Sequence, residues 1–235
     1  MRLGLIGLGL FFLAFSALAG TFLDTFDDEK LVDWQTLVMF GFEDPGSWEI
    51  IDGELQGISN AGTITCLRTI GEEMWQDYDI EFEVKPLEKH GPGNVAIAAR
   101  IEGTWGVVCE IEDSNQAAPV VGCFGGDLHG NFFLNYAQEP HPLLRLQKWS
   151  TLKLSVHGNQ LTFWINGERV LDPITLEPLH GFPDFPAGRV GLGIANYTAR
   201  FDNFKVTGPD IPDRNRLSVT PQAKLATVWG GLKRF

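Results

Sequence analysis

Apolar and polar residues alternate at period two along most of this chain. Turn residues break the alternation roughly every 8–12 positions. Ile80, Phe82 and Val84 alternate with Asp79, Glu81 and Glu83. Leu152, Leu154 and Val156 alternate with Lys153, Ser155 and His157, and Leu161, Phe163 and Ile165 with Thr162, Trp164 and Asn166. Successive side chains of a strand point to opposite faces, so each run reads as a strand with one buried face. Asp52-Gly53, His157-Gly158-Asn159 and Asn166-Gly167 supply corners. Asn-Gly between alternating runs is a hairpin signal because both residues accept positive φ. About a dozen such runs are present, with no amphipathic helix between residues 20 and 208. The pattern predicts an all-β chain folded as a two-sheet antiparallel jelly-roll sandwich.

The chain is long enough for one such domain: 235 residues, 44% of them hydrophobic. The ends read differently. Met1-Arg2, an uncharged apolar run Leu3–Phe15 and Ala17-Leu18-Ala19 form the pattern of a secretory signal peptide over residues 1–19. The sandwich then spans residues 20–208. Residues 209–235 read as a linker, Pro209-Asp210-Ile211-Pro212-Asp213, and a tail containing Lys224, Trp229, Lys233 and Arg234. The expected location is secreted, extracellular or periplasmic. No other stretch is apolar enough to span a membrane after signal cleavage.

The formal charge of −12 argues against nucleic acid, which needs a basic footprint, and against adsorption to an anionic membrane. It does not distinguish an acidic catalyst from an acidic binding module. Oligomeric state leaves no signal. Export permits disulfides. Cys109 and Cys123 sit on strand-like runs, Val107–Glu112 and Pro119–Phe124, centred on residue 116 in the intervening loop. A hairpin would set them opposite each other, and a bridge there could contribute about 3 kcal/mol. Three reduced cysteines remain the alternative, and Cys66 has no evident partner. The five histidines lack ligand spacing, so zinc is not expected. No cofactor is required by any motif.

Several blocks resemble the concanavalin A-like lectin/glucanase superfamily, in particular laminin G-like and bacterial 3-keto-disaccharide hydrolase-like domains. They are Asp24-Thr25-Phe26-Asp27-Asp28 with Leu31 and Trp34, Trp48–Leu55, Asp77–Val84, Asn94–Arg100, Trp149–Leu154, Gly188–Leu192 and Ala199–Phe204. The resemblance covers about residues 20–207. It implies two sheets with a concave face that often holds carbohydrate. It also implies a calcium ion tying the first strand to the last, for which Asp24 and Asp202 match, with Asp27 in reserve.

A polysaccharide or glycan is therefore the expected partner. Sugar sites combine aromatic faces with planar polar groups. Alternation puts Ala96, Ala98 and Arg100 on one side of a strand, with space around the arginine. Glu110 and Glu112 share a face, and in the hairpin register Glu110 faces Gly122. Trp105, Asn131, Asn135, Trp164 and Asn196 complete the candidate ligand-binding set. Asn196-Tyr197-Thr198 also fits the N-glycosylation pattern, but on or beside a strand.

Two functions follow. The first is a secreted carbohydrate-binding or adhesion module. The alternative, following the resemblance, is a glycan hydrolase related to the 3-keto-disaccharide hydrolases, with Glu110 and Glu112 as candidate carboxylates. Residues two apart on a strand are about 6.6–6.8 Å apart, which alone rules out neither stereochemical course. The family 16 glycosidases carry Glu-x-Asp-x-x-Glu. Here Glu110-Ile111-Glu112-Asp113-Ser114-Asn115 lacks the last carboxylate, which argues against that activity.

Overall fold

A computed structural model of the protein describes residues 19–41, 44–60, 62, 64–114, 118–130, 132–177 and 184–216. The apolar leader up to residue 18, Asn131 and the tail from residue 217 lie outside the described residues. The strands are β1 (Gly20–Asp24), β2 (Gln35–Val38), β3 (Ser47–Ile51), β4 (Glu54–Ile58), β5 (Cys66–Ile70), β6 (Tyr78–Glu102), β7 (Trp105–Glu112), β8 (Val120–Asp127), β9 (Phe132–Pro140), β10 (Ser150–His157), β11 (Gln160–Ile165), β12 (Glu168–Arg169), β13 (Ile174–Thr175), β14 (Arg189–Gly208) and β15 (Arg214–Arg216). One 3₁₀ turn, Met39–Gly41, is the only helical element among the described residues.

Two long strands belong to both layers. β6 and β14 pair antiparallel from Arg189 opposite Ile101 to Thr207 opposite Asp79. The alternation predicts separate strands at Asp77–Val84 and Asn94–Arg100; the structure has one continuous β6. Its first part carries β10 and then β11. Its second part carries β7, β8 and β9 in turn. β14 likewise holds β5 at one end, β4 in the middle and β1 at the other. Register shifts at Ala195/Tyr197 and Thr198/Ala199 bend β14 opposite the Pro86–Gly93 stretch of β6. Proline and glycine weaken a ladder, so the bend falls where the sequence tolerates it.

Between the layers lies the main core. Tyr78, Ile80, Phe82 and Val84 meet Leu152, Leu154, Val156, Leu161 and Phe163 there, with Phe201 and Phe204. Phe82 and Phe204 stack at 5.8 Å. Each such side chain contributes about 1.5–3 kcal/mol through burial. The alternate residues of β6 face outward but are not bare: Asp79 pairs with Lys153 at 2.9 Å and Glu81 with Lys205 at 3.0 Å.

The second part of β6 breaks the one-face rule. Asn94 through Ile101 are buried on both faces. On the face away from the main core, Ala96, Ala98 and Val108 meet Leu37, Met39, Leu67 and Leu128 in a second, smaller cluster. The 3₁₀ turn is fixed there by Met39 N–H to Thr65 O at 3.0 Å and Phe40 N–H to Leu128 O at 2.9 Å.

The first sheet continues past residue 208. A turn at Pro209-Asp210 leads to β15, which pairs parallel with β1. Ile211 is buried beneath it.

Candidate functional site

The second sheet presents a groove on its outer face. β6, β7, β8 and β9 lie side by side, so residues in register form rows across the floor. Ala96, Glu110, Gly122 and Gln138 make one row; Ala98, Val108, Phe124 and Asn135 make the next. Asn94 opposes Glu112 in the row on the other side. Gly122 has no side chain to fill the space beside Glu110. Phe40, from the 3₁₀ turn, and Phe133, from β9, form an aromatic wall, edge to face at 5.2 Å. Phe124 meets Phe133 in the same manner at 5.4 Å. The cavity measures about 300 Å³ and is also lined by Thr65, Ser114 and Gln138. That is at the lower end of the usual range for ligand pockets.

Glu110 is the unusual group. It is 8% exposed. Burial pushes its carboxyl up to about 8, and the Glu112 charge beside it acts in the same direction. A carboxyl in this state keeps its proton at neutral pH and can donate a hydrogen bond. No described residue hydrogen-bonds or ion-pairs with it. Asn94 lies at 3% exposure; its amide donates to Thr65 Oγ1 at 2.8 Å, while its Oδ1 has no partner among the described residues. Ser114 Oγ is likewise buried and without a partner among the described residues. Buried polar atoms are normally satisfied, so unmet ones lining a cavity point to a ligand.

The other candidate residues separate from this groove. Arg100 does not join Glu110. The register breaks between Ala99 and Glu102, and Arg100 takes φ +54°, so the chain leaves its alternation there. The side chain turns away from Ala96 and Ala98 to the far end of β6. Its Nη1 donates to Phe185 O at 2.8 Å and to Pro186 O, and its Nη2 to Gly158 O at 3.1 Å. Asp77 stands 3.6 Å away and Tyr78 lies under the guanidinium. Gly188 passes so close that a Cβ would meet the Arg100 carbonyl carbon at 2.3 Å. Arg100 is thus a structural plug that lies apart from the Glu110 groove. The space predicted around Ala96 and Ala98 is largely taken by Met39, Leu67 and Leu128.

Trp105 packs at the sheet edge against Phe132. Trp164 lies on β11 under Lys153, in the other part of the sheet. Neither lines the groove. Asn196 is also absent from it: its Nδ2 donates to Pro92 O at 2.6 Å and pins the bend of β6. Its side chain is buried, which does not suit glycan attachment. Asn135 does line the groove.

Cys109 and Cys123 are directly opposed and joined by a disulfide, one residue from Glu110 and Gly122. Cys66 is free and buried. Asp24 is wholly buried; its carboxylate accepts from Phe26 N–H and Trp34 Nε1, both at 2.9 Å. Asp202 accepts from Asn203 N–H at 2.7 Å. Among the described residues no three His, Cys, Asp or Glu side chains converge. The N–H donors at Asp24 form a clasp that holds Trp34 against Phe204.

Alternation can find Asn94, which shares a face with Ala96 and Ala98. Phe124 shares a face with Gly122 in the same way, whereas Phe40 and Phe133 carry no such signal. Phe40 lies far from the other two in sequence and meets them only once the sheet is built.

A family model described as the 3-keto-alpha-glucoside-1,2-lyase-like domain matches residues 21–207. The chain belongs to this family. The match spans the sandwich of this lyase-like domain from β1 to the end of β14. A comparison with curated proteins finds no match. Among solved structures, a family 66 carbohydrate-binding module from Bacillus subtilis is 20% identical, covering 71% of this chain and 96% of its own, with a TM-score of 0.53. A galectin-like-fold protein from Bacillus subtilis is 13% identical, covering 80% and 96%, with a TM-score of 0.58. The fourth domain of the extracellular arabinanase AbnA from Geobacillus stearothermophilus, in complex with arabinotriose, is 13% identical, covering 81% and 93%, with a TM-score of 0.50. At these identities the likeness is one of fold, an antiparallel β-sandwich. No helix among the described residues is long and apolar enough to cross a membrane.

Proposed function

We propose that this lyase-like domain is a secreted module that binds carbohydrate in the Glu110 groove. The observation that carries the reading is a buried carboxyl, protonated near neutral pH and without a partner among the described residues, on the floor of a groove walled by Phe40 and Phe133. A protonated carboxyl both donates and accepts, as a sugar hydroxyl does. The aromatic wall suits the C–H faces of a sugar ring. Asn135 and Gln138, on the open side, add planar amides. The carbohydrate-binding module and the arabinotriose-bound domain support the reading as relatives in fold. The leader-like sequence supports export, and the disulfide is in keeping with an oxidising compartment.

A second reading has its own observation. Burial raises Glu110 to about 8 beside a second carboxyl, Glu112, which is the separation of environments that acid–base catalysis uses. In that reading Glu110 gives its proton to a departing sugar oxygen, and Glu112 is the second carboxyl.

The test is a glycan panel offered to the chain, with sugar release monitored in parallel. Binding of at least one glycan is expected. Phe133→Ala should weaken it by about tenfold, the scale of one lost aromatic contact. No binding across the panel, or binding indifferent to Phe133→Ala, contradicts the proposal. Release of product abolished by Glu110→Gln would favour the catalytic reading instead.

A further inference from the structure

The groove holds acceptors without the cations that usually accompany them. Glu110 and Glu112 point into it from one face of β7, and neither pairs with any described residue. No lysine, arginine or histidine is among the described lining residues. Lys89, on the neighbouring stretch of β6, is held by Asp113 at 2.9 Å. Asn94 lines the same space; its amide nitrogen is spent on Thr65, and its buried Oδ1 has no partner among the described residues. Ser114 Oγ is unmet there as well. The floor therefore offers two carboxyls and a buried carbonyl oxygen, and its wall offers the faces and edges of Phe40, Phe124 and Phe133.

Protonated Glu110 supplies one donor, but its second oxygen, the Glu112 carboxylate and the Asn94 carbonyl are acceptors, and each hydroxyl of a neutral sugar brings only one donor to them. A primary ammonium brings three donors and one positive charge, and aromatic faces attract it. Resting on the carbohydrate reading above, we propose that the groove selects a sugar bearing a free ammonium group, which sits between Glu110, Glu112 and Asn94 Oδ1. The chain's charge of −12 would also draw such a cation toward the site.

The test compares three tetrasaccharides of the same linkage by calorimetry at about pH 6, where a primary amine is protonated: the β-1,4-glucosamine tetramer, its fully N-acetylated form, and cellotetraose. The glucosamine tetramer should bind at least about tenfold more tightly than the other two, the scale of a hydrogen bond to a charged group. The preference should vanish in the Glu110→Gln/Glu112→Gln double variant. Both substitutions keep side-chain shape, and a thermal melt checks the fold. Equal or tighter binding of cellotetraose overturns the inference and leaves the carbohydrate reading standing. A preference that survives the double variant overturns it too. Failure of all three sugars, with the panel also negative, overturns both.

Discussion

Raising the pH from about 4.5 to about 8 should destabilise the folded chain, and Glu110→Gln should remove most of that loss. Burial, aided by the Glu112 charge, holds the Glu110 carboxyl at about 8 in the folded chain, against a usual value of 4.5. Below about 4.5 it is protonated in both folded and unfolded chains and contributes nothing. Between the two values the folded chain keeps a proton that the unfolded chain has released. Stability then falls with rising pH, and the full penalty is present above about 8. Each pH unit across that window corresponds to about 1.4 kcal/mol, so the effect is on the order of several kcal/mol. Asp79 acts in a different window. Burial raises its carboxyl, but Ser155, Lys153 and His157 outweigh that and hold it below the usual range. Its stabilisation is lost only as pH falls through acid values, below the Glu110 window. Urea denaturation at about pH 5, 7 and 9 tests this. Glu110→Gln should flatten the profile and be the more stable protein at the alkaline end. Parallel profiles for the two proteins would contradict the burial argument.

Replacing Arg100 by Met should cost about 3 kcal/mol or more, one of the largest single-site losses in the chain. The guanidinium is 2% exposed and ties together Phe185, Pro186 and Gly158, three carbonyls from two loops at one end of the sandwich. Methionine fills much of the volume but leaves those carbonyls without donors. For a chain of this size the melting temperature should fall by roughly 6–12 °C. Asp77→Asn is the contrast: its carboxylate is half exposed, so the loss should stay within about 1 kcal/mol. Glycan binding should be unaffected by either change, because the plug does not line the groove. A melting temperature unmoved by Arg100→Met would contradict the plug. Loss of binding in a folded variant would return Arg100 to the site.

The same residue marks where the sequence stops being legible. Alternation places the strands well because one-sided burial leaves a period of two. It also gives the register of β7 and β8, with Cys109 opposite Cys123 and Glu110 opposite Gly122. It fails at Arg100, since a bulge with positive φ shifts every later side chain by one position. It does not tell which outer face is covered, because Met39 and Leu128 reach Ala96 and Ala98 only through tertiary structure. The two carboxyls of the groove are visible as a strand pattern. Its aromatic wall is not, because Phe40 and Phe133 lie 93 positions apart in the chain. Asp24 and Asp202 look like cation ligands by resemblance. In the structure Asp24 also holds the indole of Trp34, a contact between residues ten apart that no spacing rule demands.

Glu110 as the protonated floor of a carbohydrate groove is the centre of this account. Its side-chain carboxyl carbon, followed by NMR from acid to alkaline pH, tests that most directly. A midpoint near 8 is expected in the free chain. That midpoint should be displaced when a glycan found by the panel saturates the groove. A midpoint near the ordinary value of 4.5, unmoved by that glycan, would contradict the account.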